Sequence, residues 1–513
     1  MVFKVYSGRV GGISGDLITV EVDASQGLPS LEMIGLLSSE IKEARDRVRV
    51  SLKNNGYTLP PMRITINLSP ADEHKSGSHF DLPIAIAILG VFGHLDSFNP
   101  EESLIIGELS LDGNVKRVRG ILPIVKMARE NGFKRVILPK DNAKEGAMIK
   151  GIDIIGVSSL SETIAYLLTP SESADFQIAP YISDFKFENT DFNEDCDFSE
   201  VTGQENVKRA AGIAAAGFHH LLMTGPPGTG KSLIARRIPT IMPKLTYEES
   251  LEVTTIYSIA GKLSEEEPFI RKRPFLSPHH GASAQALTGG GVNAGPGMIS
   301  LSHRGILFLD ELPEFKKETI DYLRQPLEEG EITVARIRQS IKYPARFMLV
   351  AAMNPCPCGY YPDRNKCLCT QPQIDRYLSR ISGPILDRID ICIEVPRMDI
   401  KDISNPSVKN ISSEELRKKV EAAHKKQELR YKNEKFKFNS QIPSAKVEKY
   451  IPLSPEAKDF LYSIYTSMHL SMRAYYKIIR VAQSIADFDM DEKVEIKHIA
   501  EASCYRFPEY MGD

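Results

Sequence analysis

The stretch HLLMTGPPGTGKSLIARRI, residues 220–238, runs from apolar residues through a glycine-rich turn into a helix-like sequence. It contains the pattern GxxxxGKS between Gly225 and Ser232. Glycines let backbone N–H groups wrap around phosphates, and the start of the following helix adds positive potential. This pattern, placed between a strand and a helix, predicts a phosphate loop for a nucleoside triphosphate. The alternative is a plain glycine turn between the two elements.

The phosphate loop assigns roles to particular side chains. Lys231 is expected to reach the β- and γ-phosphates, and Ser232 is expected to ligate Mg²⁺, so the predicted cofactors are ATP and Mg²⁺. The predicted nucleotide-binding residues are Gly225, Pro226, Pro227, Gly228, Thr229, Gly230, Lys231 and Ser232.

A second apolar strand, GILFLDEL, ends in two acidic residues. Asp310 is expected to hold Mg²⁺, and Glu311 to polarise the attacking water as a general base. The alternative is a pair of acids that cap a following helix. With the phosphate loop in the same chain, the catalytic interpretation is favoured.

Two further residues extend this predicted ATP hydrolase. Asn354 follows the strand FMLVAAMN, at the end of a parallel strand where ligands bind in open α/β sheets, and its amide can orient the lytic water. Arg388 lies in SRISGPILDRID between two aspartates. It is expected either to form a local ion pair with Asp387 or Asp390, or to reach the nucleotide of a neighbouring subunit.

The chain divides into four segments. Strand-like and helix-like stretches alternate over residues 1–170. Residues 171–199 are the predicted linker, which falls on the acidic stretch SDFKFENTDFNEDCDFSE, residues 183–200. Residues 200–400 alternate helices with buried strands, which predicts an α/β domain with a parallel sheet. Residues 401–513 have helical periodicity and many lysines. We therefore expect an α/β multidomain protein with a helical C-terminal domain.

The composition excludes several classes of protein. The net charge is -3, so any contact with nucleic acid must come from a local basic patch. The apolar run from Leu82 is shorter than the roughly 20 residues that a membrane helix needs. The N-terminus does not have the pattern of a signal peptide, so the expected location is the cytoplasm, with no membrane partner.

Several phrases carry a resemblance to a known family: RPFLSPHHGASAQALTGGG, ISLSHRGILFLDELPEF, AAMNPCPCGYY and LSRISGPILDRIDI. Together with the phosphate loop they resemble the magnesium-chelatase-like YifB/ComM family of AAA+ ATPases, over nearly the whole chain. The resemblance implies that Arg388 is an arginine finger acting on a neighbouring subunit. It also implies that Arg473, in SMRAYYKIIRVAQSIADF, is the second-sensor arginine of a helical lid. The alternative for Arg473 is an ordinary surface arginine.

The same resemblance implies a function and partners. Members of the family form hexameric rings, and one member is a helicase that drives branch migration when incoming single-stranded DNA recombines with the chromosome in natural transformation. The expected partners are therefore single-stranded or branched DNA, further copies of the chain and recombination proteins. A chelatase-type or protein-remodelling ATPase, which acts on a protein client, is the alternative function.

The front segment resembles the domain of Lon proteases, as in the ChlI-type proteins of this family. The stretches that carry this resemblance are KSGSHFDLPIAIAILG and GNVKRVRGILPIVKMARENGFKRVILPKDN. Lon proteases use a serine activated by a lysine. Here the serine position falls on His79 and the lysine position near Leu122, so the resemblance implies a scaffold without the catalytic dyad. A shifted register through Ser76 or Ser78 is the alternative.

The stretch ITVARIRQSIKY alternates apolar and polar residues, which predicts a short β-hairpin. In related ring helicases a hairpin at this place enters the pore. By this resemblance Arg336, Arg338 and Lys342 are expected to face the channel and contact DNA phosphates. The alternative is a solvated hairpin face.

Four of the seven cysteines lie in NPCPCGYYPDRNKCLC. Cys356, Cys358, Cys367 and Cys369 offer four soft ligands, the number and type that tetrahedral Zn²⁺ takes in structural sites. Their spacing is tighter than that of the usual CxxC pairs. The alternatives are four thiols without a metal, or disulfides. We expect that a zinc ion here would hold the loop behind Asn354.

Overall fold

The computed structural model describes residues 2–36, 38–71, 75, 77–169, 178–182, 187, 196–264, 266–291, 294–336, 339–398 and 410–506. Within these ranges no helix is both long enough and apolar enough to cross a membrane. The fold is mixed α/β, with an α+β front domain, a central domain built on a parallel sheet and a helical C-terminal region, which confirms the predicted fold class.

The front domain is built on a seven-stranded sheet in the order β3-β4-β2-β1-β5-β8-β9. Its strands are β1 (Val2–Gly11), β2 (Ser14–Ser25), β3 (Ser30–Ile34), β4 (Arg63–Ser69), β5 (Ser103–Ile105), β6 (Glu108–Leu109), β7 (Val115–Lys116), β8 (Arg135–Pro139) and β9 (Asp153–Val157). Its helices are α1 (Ser39–Asn54), α2 (Asp81–Val91), α3 (Ile121–Glu130), α4 (Ala143–Gly146) and α5 (Leu160–Leu168). Along β2, buried Ile18, Val20 and Val22 alternate with partly exposed residues, as expected for a strand with one face in the core.

The central domain has a five-stranded parallel sheet in the order β11-β14-β17-β10-β18. Its strands are β10 (Leu221–Thr224), β11 (Phe275–Leu276), β12 (Gly289–Gly290), β13 (Gly295–Pro296), β14 (Ile306–Leu309), β15 (Glu331–Arg336), β16 (Gln339–Pro344), β17 (Met348–Met353) and β18 (Ile391–Glu394). Its helices are α6 (Glu205–Gly217), α7 (Lys231–Ile241), α8 (Tyr247–Ile259), α9 (Ala284–Thr288), α10 (Met298–Leu301), α11 (Lys317–Asp321), α12 (Arg324–Glu329), α13 (Gln371–Leu378) and α14 (Gly383–Leu386).

The strands β10, β14 and β17 are completely buried, because the core packs against both faces of the sheet. They are parallel neighbours, so their carboxyl ends lie at the same edge of the sheet. At this edge the three strands are followed by the phosphate loop, by Asp310 and by Asn354. The topology therefore gathers three predicted site elements that are far apart in sequence.

The C-terminal region consists of α15 (Ser413–Arg430), α16 (Val447–Tyr450), α17 (Pro455–Ser467), α18 (Met472–Phe488) and α19 (Ile496–Cys504). Its apolar residues join the core of the central domain. Arg430 donates two hydrogen bonds to the buried carboxylate of Asp487, at 2.6 and 2.8 Å. Arg209 of α6 bridges to Asp489 and Glu501. The helical region is thus fixed to the central domain by apolar packing and by ion pairs.

The front domain contacts α8 of the central domain. The Tyr247 hydroxyl donates to the Met148 carbonyl at 2.5 Å, and the Gly120 N–H donates to the Ser258 carbonyl at 3.2 Å. The Ser258 hydroxyl donates to Glu145, a buried carboxyl whose pKa burial raises. These polar contacts and the surrounding apolar residues form an interface between the two domains.

Candidate functional site

The phosphate loop between β10 and α7 needs its glycines. Gly225 has φ 159°, and a Cβ there would collide with the carbonyl oxygen of Val395. Gly230 has φ 88°, in the left-handed region that favours glycine, and directly precedes α7. The loop therefore wraps tightly at the start of the helix, where backbone N–H groups are free to bind an anion.

Lys231 lies inside this loop. Its Nζ donates to the carbonyl oxygens of Gly225 and Pro226, at 2.6 and 2.8 Å, and to the Oδ1 of Asn354 at 3.2 Å. Burial lowers the pKa of Lys231 to about 8. The negative charge of a polyphosphate would favour the protonated amine, so the site is electrostatically suited to such a ligand.

Ser232 and Asp310 are in direct contact in the same cavity. The Ser232 hydroxyl donates to the Asp310 Oδ2 at 2.6 Å. A hydroxyl and a carboxylate beside a phosphate site are the protein ligands that Mg²⁺ commonly takes in phosphoryl-transfer enzymes. The cavity has a volume of about 400 Å³ and is also lined by Glu311 and Asn354. The structure thus brings together the loop, the acidic pair and the asparagine.

Glu311 occupies an unusual position. Its φ is 52°, which is uncommon for a residue other than glycine, and its side chain is 57% exposed. It precedes the short turn Leu312–Glu314, but its side chain makes no capping hydrogen bond there. The helix-capping alternative therefore has no support from its contacts, and the carboxylate is free to face the cavity.

His280 is a neighbour of Glu311 that sequence reasoning did not assign to the site. Its Nδ1 lies 3.6 Å from the Glu311 Oε2, and its ring stacks obliquely on His279 with centroids 4.0 Å apart. Its position in the chain could have indicated this, because the residues SPHH follow β11, and β11 pairs with β14, the strand that directly precedes Asp310.

Arg388 and Arg473 lie in a different cavity. Arg388 donates to the Pro384 carbonyl at 2.6 Å and forms an ion pair with Glu328. Arg473 lies 3.6 Å from the same carboxylate. The cavity that both arginines line has a volume of about 640 Å³ and shares no lining residue with the nucleotide cavity. The structure therefore brings the two arginines together and keeps them apart from Lys231.

The local ion pairs considered for Arg388 are replaced by the pair with Glu328. Asp390 instead contacts the His219 Nδ1 at 3.1 Å. Burial alone would raise the pKa of Asp390, but the contacts with His219 and His220 outweigh it and lower the pKa. Arg388 is held by a residue 60 positions earlier in the chain, which no local pattern indicates.

The predicted hairpin is formed by β15 and β16, with antiparallel pairs from Glu331–Pro344 to Arg336–Gln339. Lys342 is 67% exposed and pairs with Glu331. Lys342 lies opposite Thr333 in the hairpin, so Lys342 and Arg336 occupy positions on opposite faces of the ribbon. The expectation that these two residues share one face is therefore wrong. Arg338 and the side chain of Arg336 lie outside the described residues.

The four cysteines form one cluster. The Sγ of Cys356 lies 3.3 Å from that of Cys358 and 3.7 Å from that of Cys367, and Cys358 lies 3.6 Å from Cys367. With Cys369 included, all four sulfur atoms lie within 4.8 Å of one another. Every cysteine in the described residues is a free thiol. Cys356 and Cys367 are buried, in the same apolar cluster as Ile374 and Tyr377 of α13.

In the front domain, the two positions that were aligned with the Lon dyad from the sequence are His79 and Leu122, and neither can play the role of the residue it replaces. Leu122 is a buried aliphatic residue of α3, which cannot accept a proton. Burial lowers the pKa of His79 to about 4, so this side chain is neutral near pH 7. The Ser78 hydroxyl donates to Glu108, and Ser76 lies outside the described residues. No lysine activates a serine among the contacts that the structure describes here.

These features define a class of protein. The site combines a phosphate loop, an acidic pair and an asparagine at the adjacent ends of parallel strands, and the sheet is joined to a helical region. This combination is typical of P-loop proteins of the AAA+ type. The family model described as magnesium chelatase, subunit ChlI, matches residues 197–403. Two further ChlI models match residues 20–142 and, at the C-terminus, residues 410–506.

Known proteins are similar to this sequence, and two of the following are similar over almost its full length. YifB of Escherichia coli is 42% identical over 502 residues, which cover 98% of this chain and 96% of that protein. The competence protein ComM of Haemophilus influenzae is 38% identical over 98% of this chain and 97% of its own. The magnesium-chelatase 38 kDa subunit of Cereibacter sphaeroides is 29% identical over 31% of this chain and 52% of its own.

The chain belongs to the magnesium-chelatase-like AAA+ family that includes YifB and ComM. This confirms the family identified from the sequence motifs. Membership implies ATP and Mg²⁺ as the cofactors, in agreement with the ligand set of the nucleotide cavity.

Proposed function

We propose that this protein is a ring-forming AAA+ ATPase that couples ATP hydrolysis to DNA translocation and branch migration, in the recombination of DNA taken up during natural transformation. One observation carries the proposal. The residues suited to bind and hydrolyse ATP share one cavity, whereas Arg388 and Arg473 share another. A site divided in this way is completed when two copies of the chain meet.

Within the nucleotide cavity each residue has a proposed role. Lys231 binds the β- and γ-phosphates, Ser232 and Asp310 hold Mg²⁺, Glu311 accepts a proton from the attacking water, and Asn354 orients that water. Catalysis of this kind depends on positioning and on electrostatic stabilisation, and the buried strands β14 and β17 fix the positions of Asp310 and Asn354.

Arg388 is the proposed arginine finger, and Arg473 acts beside it on the nucleotide of the neighbouring subunit. In the single chain, both arginines lie against the one carboxylate of Glu328, Arg388 in an ion pair and Arg473 at 3.6 Å. The anionic phosphates of a neighbour's nucleotide would compete with this carboxylate for the two guanidinium groups. The proposed assembly is a homo-hexamer, in which every nucleotide is bound between two subunits.

The proposed substrate is single-stranded or branched DNA. Support comes from the relative named a competence protein, and from Lys342, which is 67% exposed on the hairpin. Lys342 would contact phosphates, which is a mode of binding independent of base sequence, and Arg336 and Arg338 remain predictions from the sequence. We also propose a cytoplasmic location, where recombination proteins are available as partners, and a structural Zn²⁺ in the four-cysteine cluster.

The hairpin makes a specific prediction. Lys342→Ala is expected to weaken DNA binding for every sequence alike and to reduce the slope of log affinity against log salt by about 1. Fluorescence titrations at several salt concentrations measure this slope. Lys418→Ala is the matched control, because Lys418 is also an exposed lysine paired with a glutamate. An unchanged slope for Lys342→Ala would remove this residue from the DNA-binding surface.

The function is tested by ATP turnover with and without DNA. Purified protein is assayed alone and with single-stranded, duplex and four-way junction DNA, and branch migration is followed on a labelled junction. We expect DNA to stimulate ATP turnover. We also expect the labelled junction to be converted into its branch-migration products only when ATP is present. Absence of both stimulation and DNA binding would favour the chelatase-type or protein-remodelling function instead.

A further inference from the structure

The four-cysteine cluster has the dimensions of a metal site. For a tetrahedral zinc ion with Zn–S bonds of about 2.3 Å, neighbouring sulfur atoms are separated by about 3.8 Å. The Sγ–Sγ distances among Cys356, Cys358 and Cys367 are 3.3, 3.6 and 3.7 Å, close to the edges of such a tetrahedron. We propose that Cys356, Cys358, Cys367 and Cys369 bind a structural Zn²⁺, and that this ion clamps the phosphate loop in its nucleotide-binding shape.

The loop that carries the cysteines is shaped by its own hydrogen bonds. The Gly359 N–H donates to the Cys356 carbonyl at 3.0 Å, and the Cys367 N–H donates to the Asp363 carbonyl at 2.8 Å. Arg364 donates to the Cys369 carbonyl at 3.0 Å and lies over the Tyr361 ring, 4.8 Å from its centroid. These contacts turn the two CxC pairs towards each other, so the thiols converge in a preorganised loop.

The chemistry of the ligand set selects the metal and its role. Thiols are weak hydrogen-bond partners, so four of them facing one another gain little without an ion. The four cysteines are free thiols, and the sulfur atoms of Cys356 and Cys358 lie 3.3 Å apart, against about 2.05 Å in a disulfide bond. Four soft ligands fill the tetrahedral coordination of zinc and leave no position for a substrate or water, which makes the site structural.

The position of the cluster connects it to the nucleotide cavity. Cys356 follows Asn354 by two residues, so the ion would fix the chain just beyond the side chain that contacts Lys231. Gly359 lies against the phosphate loop, where a Cβ would come within 2.5 Å of the Pro227 Cδ. Loss of the ion would therefore release two supports of the nucleotide site at once.

The metal is tested on the full-length protein by elemental analysis. We expect about one zinc per chain in the purified protein, and Co²⁺ added to metal-free protein should give the visible spectrum of a tetrahedral tetrathiolate. The double variant Cys367→Ser, Cys369→Ser should lose the zinc. Cys504→Ser, which removes an exposed cysteine on α19, should keep it. Less than about half an equivalent of zinc, or iron in its place, would overturn the assignment.

The clamp is tested by nucleotide affinity, and this part rests on the proposed ATP site. Zinc is removed with a mercurial reagent and a chelator, and binding of a fluorescent, slowly hydrolysed ATP analogue is titrated. We expect the affinity to fall by about tenfold or more and to return when Zn²⁺, but not Mg²⁺ alone, is restored. An affinity unchanged by zinc removal would overturn the clamp.

A glycine substitution tests the same contact without removing a ligand. Gly359→Ala adds a methyl group against Pro227 and should weaken binding of the ATP analogue. Gly132→Ala is the matched control, because Gly132 has a similar φ of 83°, against 86° for Gly359, and no atom within 4 Å of an added Cβ. Normal nucleotide affinity in Gly359→Ala would contradict the clamp. If unmodified protein binds no nucleotide, the proposed ATP site fails, while the zinc content still reports on the metal site.

Discussion

Glu311→Gln is expected to bind ATP with nearly normal affinity and to hydrolyse it about 10²–10⁴ times more slowly. The amide keeps the size of the side chain but cannot accept a proton from water. Because Glu311 is exposed and makes no capping bond, its replacement should not destabilise the fold. Turnover is measured by phosphate release, and affinity by titration with a slowly hydrolysed analogue.

Glu314→Gln is the control for this substitution. Glu314 lies three residues further along, is 44% exposed and pairs with Arg380, so its charge is comparable but lies outside the nucleotide cavity. Its turnover should match that of the unmodified protein. If Glu311→Gln hydrolyses ATP at the normal rate, the general base is another residue.

Arg388→Ala is expected to assemble with its neighbours, to bind ATP, and to lose about 10³–10⁵ of its turnover rate. The reason is that the guanidinium group stabilises charge that develops on the transferred phosphoryl group. Among the contacts described, the Arg388 side chain is held by Glu328 and by the Pro384 carbonyl, so the substitution removes one ion pair and one hydrogen bond from the single chain. Steady-state turnover of the assembled protein is the measurement.

Arg380→Ala is the matched control for the arginine finger. Arg380 is also a partly exposed arginine on the same stretch of chain, and it pairs with Glu314 at 3.0 Å. Its loss should leave turnover unchanged. Normal hydrolysis by Arg388→Ala would show that this residue is not an arginine finger.

Much of the nucleotide site could be predicted from the sequence, because it is encoded locally. The phosphate loop is a continuous motif, and Asp310 and Asn354 each end a buried apolar strand. Parallel strands place their carboxyl ends at one edge, so the convergence of these residues follows from the type of sheet.

The remaining contacts join segments whose sequences show no pairing signal. Glu328 meets Arg388 and Arg473 through the packing of three separate helices or turns, and His280 meets Glu311 through a loop after β11. The contact of Gly359 with Pro227 depends on how the cysteine loop folds back. The faces of the hairpin depend on its register, which alternation alone does not fix.

Mixing two inactive variants tests directly whether ATP is hydrolysed between subunits. Arg388→Ala retains Lys231 and Glu311, while Glu311→Gln retains Arg388. In a mixed ring, some interfaces combine an intact nucleotide cavity with an intact arginine. A mixture of Lys231→Ala and Glu311→Gln is the negative control, since both substitutions damage the same cavity and no interface can be complete.

We expect turnover to reappear when Arg388→Ala and Glu311→Gln are mixed, to be highest at intermediate ratios, and to stay near zero in the control mixture. The double variant Arg388→Ala, Arg473→Ala should behave in the same way, because both arginines line the same cavity. No recovered turnover at any ratio, in mixtures shown to co-assemble, would contradict hydrolysis between subunits.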